Sequence, residues 1–296
     1  GQTFFISLFN TEIRFYYGLS DGEFGFIYAI STLFSSFILI SFAKLIDHLD
    51  LRVYSLIVTV GLLLACIGMV VMLNNIFYLF VIIFMLRFFG QGAMTHAGET
   101  TMARYFGNNR GKALSVATLG GMAGVMFLPY ISLNYFKDIE MKQLWIYASI
   151  SIVVFTPFIF IALAGQTARH DKFDQALIND PLNLKLRTRD IFKDKKFYIY
   201  LPLSMAAPFI STGLMFHQIY IFDKKNWSLE MLGNGYILLG FFSIIGLMIG
   251  GPLIDKFHTK KTAITVLVPL LLSVIILLLF DSVFFLIIYM SRYGFN

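Results

Sequence analysis

Seven ionisable side chains stand inside otherwise apolar stretches of this chain: Glu12, Arg14, Arg87, His96, Glu99, His217 and Arg292. A charge placed in lipid costs about 2.5–3.5 kcal/mol on insertion scales, so each of them needs a reason. A guanidinium can bind a carboxylate through two parallel hydrogen bonds, so Arg87 and Arg292 suit a small organic anion. Gln91 follows Arg87 by four residues and shares its helix face. Packing against helix ends or snorkelling competes with that role for either arginine. His217, with an ordinary pKa of about 6.5, could carry a proton, against which stands a hydrogen-bonded structural histidine. Glu12 and Arg14 fall near the outer end of their stretch, where an interfacial position competes with a substrate role. His96 lies about 180° round a helix from Arg87 and is expected to pair with Glu99. No group of His, Asp and Glu has metal-ligand spacing, and no nucleophile stands beside a base. The expectation is therefore no enzyme, no metal and no cofactor. Nothing resembles a nucleotide-hydrolysis motif, so gradients would supply the energy.

The elements that must hold these residues follow from composition. Of 296 residues, 58% are hydrophobic and 14% charged, and the mean hydropathy is +0.76. A soluble domain carries about 25% charged residues, so the solvent for most of this chain must be lipid. The net charge of +6 is low for a nucleic-acid binder of this length. Cys66, the single cysteine, lies in an apolar run, which excludes an internal disulfide and a cysteine zinc site. Breaks at charge and Gly/Pro/Asn clusters leave about ten candidate spans of helix: 1–17, 22–43, 53–73, 76–103, 112–135, 144–165, 196–222, 231–255, 262–280 and 283–296. The first and last look incomplete and there is no cleavable signal peptide, so the chain reads as a fragment.

Sidedness follows from Lys and Arg. Of 23 such residues, 16 fall in the even connections and in or beside the long stretch 166–195, and only Lys137, Lys142, Lys224 and Lys225 fall in the odd ones. That bias places the even loops and the long stretch in the cytoplasm and explains the basic balance without nucleic acid. The expected organisation is an N-terminal half, 1–165, of six spans with the first partial; a polar linker, 166–195, broken by Pro181; and a C-terminal half, 196–296, of about four spans with the last partial.

An internal repeat supports two halves. Sliding the chain by 208 residues brings Ser20 onto Ser228, Gly25 onto Gly233, Tyr28 onto Tyr236 and Asp47 onto Asp255. With a small further shift, Met85-Leu86-Arg87-Phe88 meets Met290-Ser291-Arg292-Tyr293.

Recognisable motifs sit on this frame. Gly251-Pro-Leu-Ile-Asp255-Lys256, followed by Lys260 and Lys261, resembles the signature loop between spans two and three of a half in the major facilitator superfamily. The first-half copy is degraded: Ala43 replaces the first glycine and His48 the basic residue, with Asp47 and Arg52 retained. Arg87-Phe-Phe-Gly90-Gln91-Gly92 resembles that superfamily's fourth span, and Ala103-Arg104-Tyr105-Phe106 with Arg110-Gly111-Lys-Ala113 looks like its monocarboxylate and oxalate branch. Span five has Gly120, Gly121, Gly124 and Pro129 without the clean glycine-proline motif of drug antiporters.

The resemblance implies an all-α membrane protein of two pseudo-symmetric six-helix halves, with spans one, four, seven and ten around a central cavity. The intramembrane charges fall on those four spans. It also implies a cytoplasmic latch built from Asp47, Arg52, Glu99, Arg104, Gly251, Asp255 and Lys256, against the plainer reading of topology charges. The glycines Gly90, Gly92, Gly120, Gly121, Gly124, Gly246, Gly250 and Gly251 are expected to allow close helix contact or flexing. The function expected is a monomeric secondary transporter in the inner membrane. It would move a small solute, a monocarboxylate-type anion, by alternating access, with proton symport open. Drug or metabolite efflux and a non-transporting membrane sensor remain alternatives.

Overall fold

A backbone in lipid has no water to bond, so its N–H and C=O groups must be satisfied within the segment, as in a helix. The computed structural model describes residues 2–106, 110–136, 138–164 and 192–294, and the side chains among them except those of 103–105, 110–112, 203 and 250–266. Every regular element among the described residues is helical. In chain order these are α1 (Thr3–Ile6), a 3-10 turn (Ser7–Phe9), α2 (Asn10–Tyr17), α3 (Asp21–Phe42), a 3-10 turn (Ala43–Asp47), α4 (Leu51–Val71) and α5 (Ile76–Met85). A π-helical turn (Leu86–Ala93) joins α5 to α6 (Met94–Tyr105); α7 (Arg110–Asn134) and α8 (Met141–Ala162) follow. The rest comprises α9 (Lys195–Phe216), α10 (Gln218–Lys224), α11 (Leu229–Leu279) and α12 (Val283–Gly294). The linker expected at 166–195 lies outside the described residues except for 192–195.

Seven helical segments among the described residues are long and apolar enough to cross a membrane, and Leu267–Leu279 and Val283–Gly294 are shorter apolar helices. The count falls below ten for three local reasons. The first stretch is divided by its 3-10 turn. The stretch at Leu267–Leu279 belongs to α11, a single helix of 51 residues. The last, Val283–Gly294, is 12 residues long. The turn expected between 255 and 262 is therefore absent: the residues from Asp255 to Ala263 include no Gly or Pro, and nothing local ends the helix. At 1.5 Å per residue α11 runs about 77 Å, against about 30 Å of hydrocarbon, so its two apolar stretches cannot share one crossing.

Contacts divide the chain into two units, Gly1–Ala117 with Asp138–Asp180, and Thr118–Lys137 with Pro181–Asn296. In the first, α3 packs along α5 and the π-helical turn, and α4 along α8. A core of Ile46, Leu51, Tyr54, Val58, Ala93 and Ala97 fills one end. Trp145 is buried against the rings of Phe5 and Phe9, at 5.4 and 5.5 Å between centroids. Close approach occurs at Gly61, where a Cβ would lie 2.6 Å from the Phe89 ring, and at Gly68, where it would meet the Ile82 side chain. Gly92 is similarly tight, with Leu39 at 3.0 Å from such a Cβ. Among the described residues, Gly120 and Gly121 have nothing within 4 Å and Gly124 only Leu128 at 4.0 Å, so of the close contact or flexing expected of them, close contact is not found. Small residues matter only where a partner helix arrives, and spacing does not say where.

In the second unit α11 packs tightly on α12. A Cβ at Gly294 would strike the main-chain carbonyl of Leu239, and one at Gly235 would lie 3.0 Å from Met290.

The 208-residue offset recurs in local structure. Ser20 caps α3 by accepting from Glu23 N at 3.3 Å, and Ser228 caps α11 by accepting from Met231 N at 3.2 Å. Glu23 completes a capping box by accepting from Ser20 N at 2.8 Å. Gly18 (φ 64°) and Asn226 (φ 56°), 208 apart, both adopt the left-handed conformation that glycine and asparagine tolerate best. Ahead of each cap the chain is strapped to the same downstream turn. Tyr16 and Tyr17 hydroxyls donate to the carbonyls of Met72 and Leu73, the latter at 2.9 Å. In the other half Lys225 Nζ donates to Phe280 O at 3.0 Å and to the Asp281 carboxylate at 2.6 Å. Trp227 Nε1 adds a bond to Asp281 O at 2.7 Å. One design is written twice with different chemistry.

Candidate functional site

Arg87 opens the π-helical turn and is 7% exposed. Its Nε donates to Thr32 Oγ1 at 3.1 Å, its Nη1 to Thr3 Oγ1 at 2.8 Å, and Nη1 also to the Gln91 amide oxygen. The guanidinium carbon lies 5.2 Å from the centre of the Tyr28 ring, a cation–π distance. Tyr28 in turn donates to Thr3 Oγ1 at 2.9 Å. The cluster draws on three elements: α1 supplies Thr3, α3 supplies Tyr28 and Thr32 one turn apart, and the π-helical turn supplies Arg87 and Gln91. Such π segments are rare and recur at functional sites.

The electrostatics of the cluster are one-sided. Three bonds occupy three of the five N–H donors of the guanidinium. All three acceptors are neutral, and no carboxylate among the described residues lies within ion-pair distance of Arg87. Hydroxyl and amide dipoles hold the group in place without cancelling its charge, although removing one charge from water costs several kcal/mol. The fully enclosed side-chain N/O atoms without a partner, among the described residues, are Tyr54 Oη, His96 Nδ1 and Trp145 Nε1. Arg87 Nη2 bonds no described residue. A fixed guanidinium that no described carboxylate neutralises is suited to receive an anion.

The other residues singled out in the sequence are placed differently. Arg14 donates to Asn10 at 2.8 Å and pairs with Asp21 at 3.2 Å, which engages it locally at the end of α2. Glu12 is exposed on the same helix. His217 is exposed at the break between α9 and α10, with its ring edge-on to Phe216 at 5.0 Å. Arg292 is exposed on α12. His96 bonds Thr100 Oγ1 at 3.3 Å and not Glu99, which is exposed. Residues three and four apart both neighbour His96 on the helix, but its ring turns to Thr100 while Glu99 is exposed, so the expected pair does not form. Arg52 donates through Nε to Leu163 O at 3.2 Å, at the C-terminus of α8, where a cation meets unpaired carbonyls. Asp50 caps α4 by accepting from Arg52 N at 2.7 Å. Asp47 is exposed at the end of its 3-10 turn. The side chains of Arg104, Gly251, Asp255 and Lys256 lie outside those described.

Thr3, Tyr28 and Thr32 were not among the sequence candidates. The available signal was a hydroxyl pair four residues apart in an apolar helix, one member of which, Tyr28, also marks the repeat.

No curated protein matches the chain. The sequence profile of the Major Facilitator Superfamily matches residues 1–296. Seven membrane-length apolar helices, an all-helical fold and that end-to-end match agree: the chain belongs to the Major Facilitator Superfamily of membrane transporters.

Proposed function

We propose that the chain is a secondary transporter for a small monocarboxylate-type anion, with Arg87 as the residue that receives the carboxylate. The observation that carries this reading is the buried guanidinium of Arg87, held by Thr3, Thr32 and Gln91 with no counter-ion among the described residues. A carboxylate at its Nη2 edge would supply the missing charge and accept the unused hydrogen bonds. Arg292 and His217, both exposed in the second unit, extend the reading as a second cationic contact and a proton carrier. Glu12 and Arg14 belong to its outer rim. Asp47, Glu99, Arg104, Asp255 and Lys256 remain the proposed cytoplasmic latch between two rocking halves, with Gly251 opening its second-half copy and Arg52 helping to fix α4 against α8. The even connections face the cytoplasm of an inner membrane.

Uptake of labelled monocarboxylates into proteoliposomes, with and without an inward proton gradient, tests it. A charged hydrogen bond is worth about 1.5–3 kcal/mol, so Arg87→Gln is expected to lower kcat/KM roughly 10- to 150-fold. Arg87→Lys keeps the charge but not the fork and should recover only part of it. Undiminished uptake by Arg87→Gln would remove the anion site. A lightly buffered interior that does not acidify during uptake removes the proton.

A further inference from the structure

The second unit has a small cavity whose walls include Leu214 of α9, Gln218 of α10, Tyr236 of α11 and Tyr289, Met290 and Tyr293 of α12. It holds about 10 Å³, enough for one water-sized group. Two of its three phenols are engaged: Tyr236 donates to Gln218, and Tyr293 donates to Ser211 O at 3.0 Å. The third is not. Tyr289 is 4% exposed and stacks on Tyr293 at 5.9 Å, yet its hydroxyl bonds no described residue. The walls cannot close over it, because α12 is already seated against the backbone of α11 at Gly294 and Leu239. A buried donor left without an acceptor costs about 1–3 kcal/mol, which something of the right size must relieve.

We propose that this cavity is a specificity subsite that takes one neutral, water-sized hydrogen-bonding group of the solute, a hydroxyl or carbonyl oxygen, with Tyr289 as donor. The inference rests on the transporter reading but not on the anion site, since its own walls are uncharged. The cavity rejects a methyl in that place by leaving the phenol unpaired, and rejects a larger group by volume.

Transport by the reconstituted chain is measured for two solute pairs, each differing by one hydroxyl: lactate against propionate, and a hexose against its deoxy form. The hydroxylated member of a pair should be favoured roughly 2- to 12-fold in kcat/KM, the size of one neutral hydrogen bond. Tyr289→Phe should erase that preference. Tyr293→Phe, whose hydroxyl is already engaged, should lower thermal stability and keep the ratio. Transport of carboxylates without any hydroxyl preference, or an equal effect of Tyr289→Phe on both members, means the cavity holds only solvent and overturns the subsite. Movement of the hexose pair with that preference and of neither carboxylate overturns the anion reading and leaves the subsite standing. Movement of neither pair overturns both.

Discussion

Thr32 does two things with one oxygen. It donates to Tyr28 O at 2.8 Å within its own helix and accepts from Arg87 Nε at 3.1 Å across to the π-helical turn. The first bond is local and fixes the rotamer; the second aims the guanidinium. Thr32→Val keeps the shape and β-branching but removes the acceptor. Arg87 would then turn towards its remaining partners, and orientation rather than charge would be lost. The expected outcome is a rise in KM of roughly 2- to 12-fold, the size of one neutral-acceptor bond, with little change in thermal stability. Uptake kinetics read against a detergent melting curve check it; an unchanged KM would mean that Thr32 is only packing. Arg87 and Gln91 were legible as a pair because an arginine in an apolar run is conspicuous. Thr3, Tyr28 and Thr32 were not, because hydroxyls are common in membrane helices and often satisfy a carbonyl one turn back. Ser35, Ser36 and Thr59 do only that.

At the scale of elements, apolar length and the breaks between runs located the helices but not their contacts. Gly120, Gly121 and Gly124 have the small-residue spacing associated with close crossing, yet no described residue approaches the first two within 4 Å. Gly294 carries no such pattern and is the position where a Cβ would meet a main-chain carbonyl. Which helix arrives at which glycine is a property of tertiary packing, and one sequence does not encode it locally. Substitution separates the two cases. Gly294→Ala must push α12 off α11 and is expected to cost about 1–3 kcal/mol, as overpacking does. Gly120→Ala fills open space in a helix and should be neutral or stabilising by about 0.4–1 kcal/mol. Melting curves of the two variants in one detergent are sufficient; equal losses would show that α11 and α12 do not meet as closely as described. The same limit explains α11. Charge marked 255–261 as a boundary between apolar stretches, but its residues are compatible with helix, so polarity and backbone conformation part company there.

For the whole molecule, the paired straps at Tyr16–Tyr17 and at Lys225–Trp227 both lie ahead of a serine cap, the first just before the left-handed Gly18 and the second either side of the left-handed Asn226. Parallel repeats of this kind place matching turns on the same side of the bilayer. From the charge bias, the strapped turns, which belong to the odd, cation-poor connections, are expected to face outward, and Lys44 and the even connections to face inward. Cys66 is buried and is the chain's only cysteine, so Cys66→Ser gives a clean background for single-cysteine mapping. Lys44→Cys, Asp138→Cys and Lys224→Cys each place a thiol at an exposed position. A membrane-impermeant maleimide added to intact cells should label Asp138→Cys and Lys224→Cys, and label Lys44→Cys only after permeabilisation. The inverse pattern would reverse the orientation and leave the fold intact. Opposite faces for Asp138 and Lys224 would be the more damaging result, because both halves could not then cross the membrane in the same sense, and the offset that relates their caps and straps would lose its topological meaning.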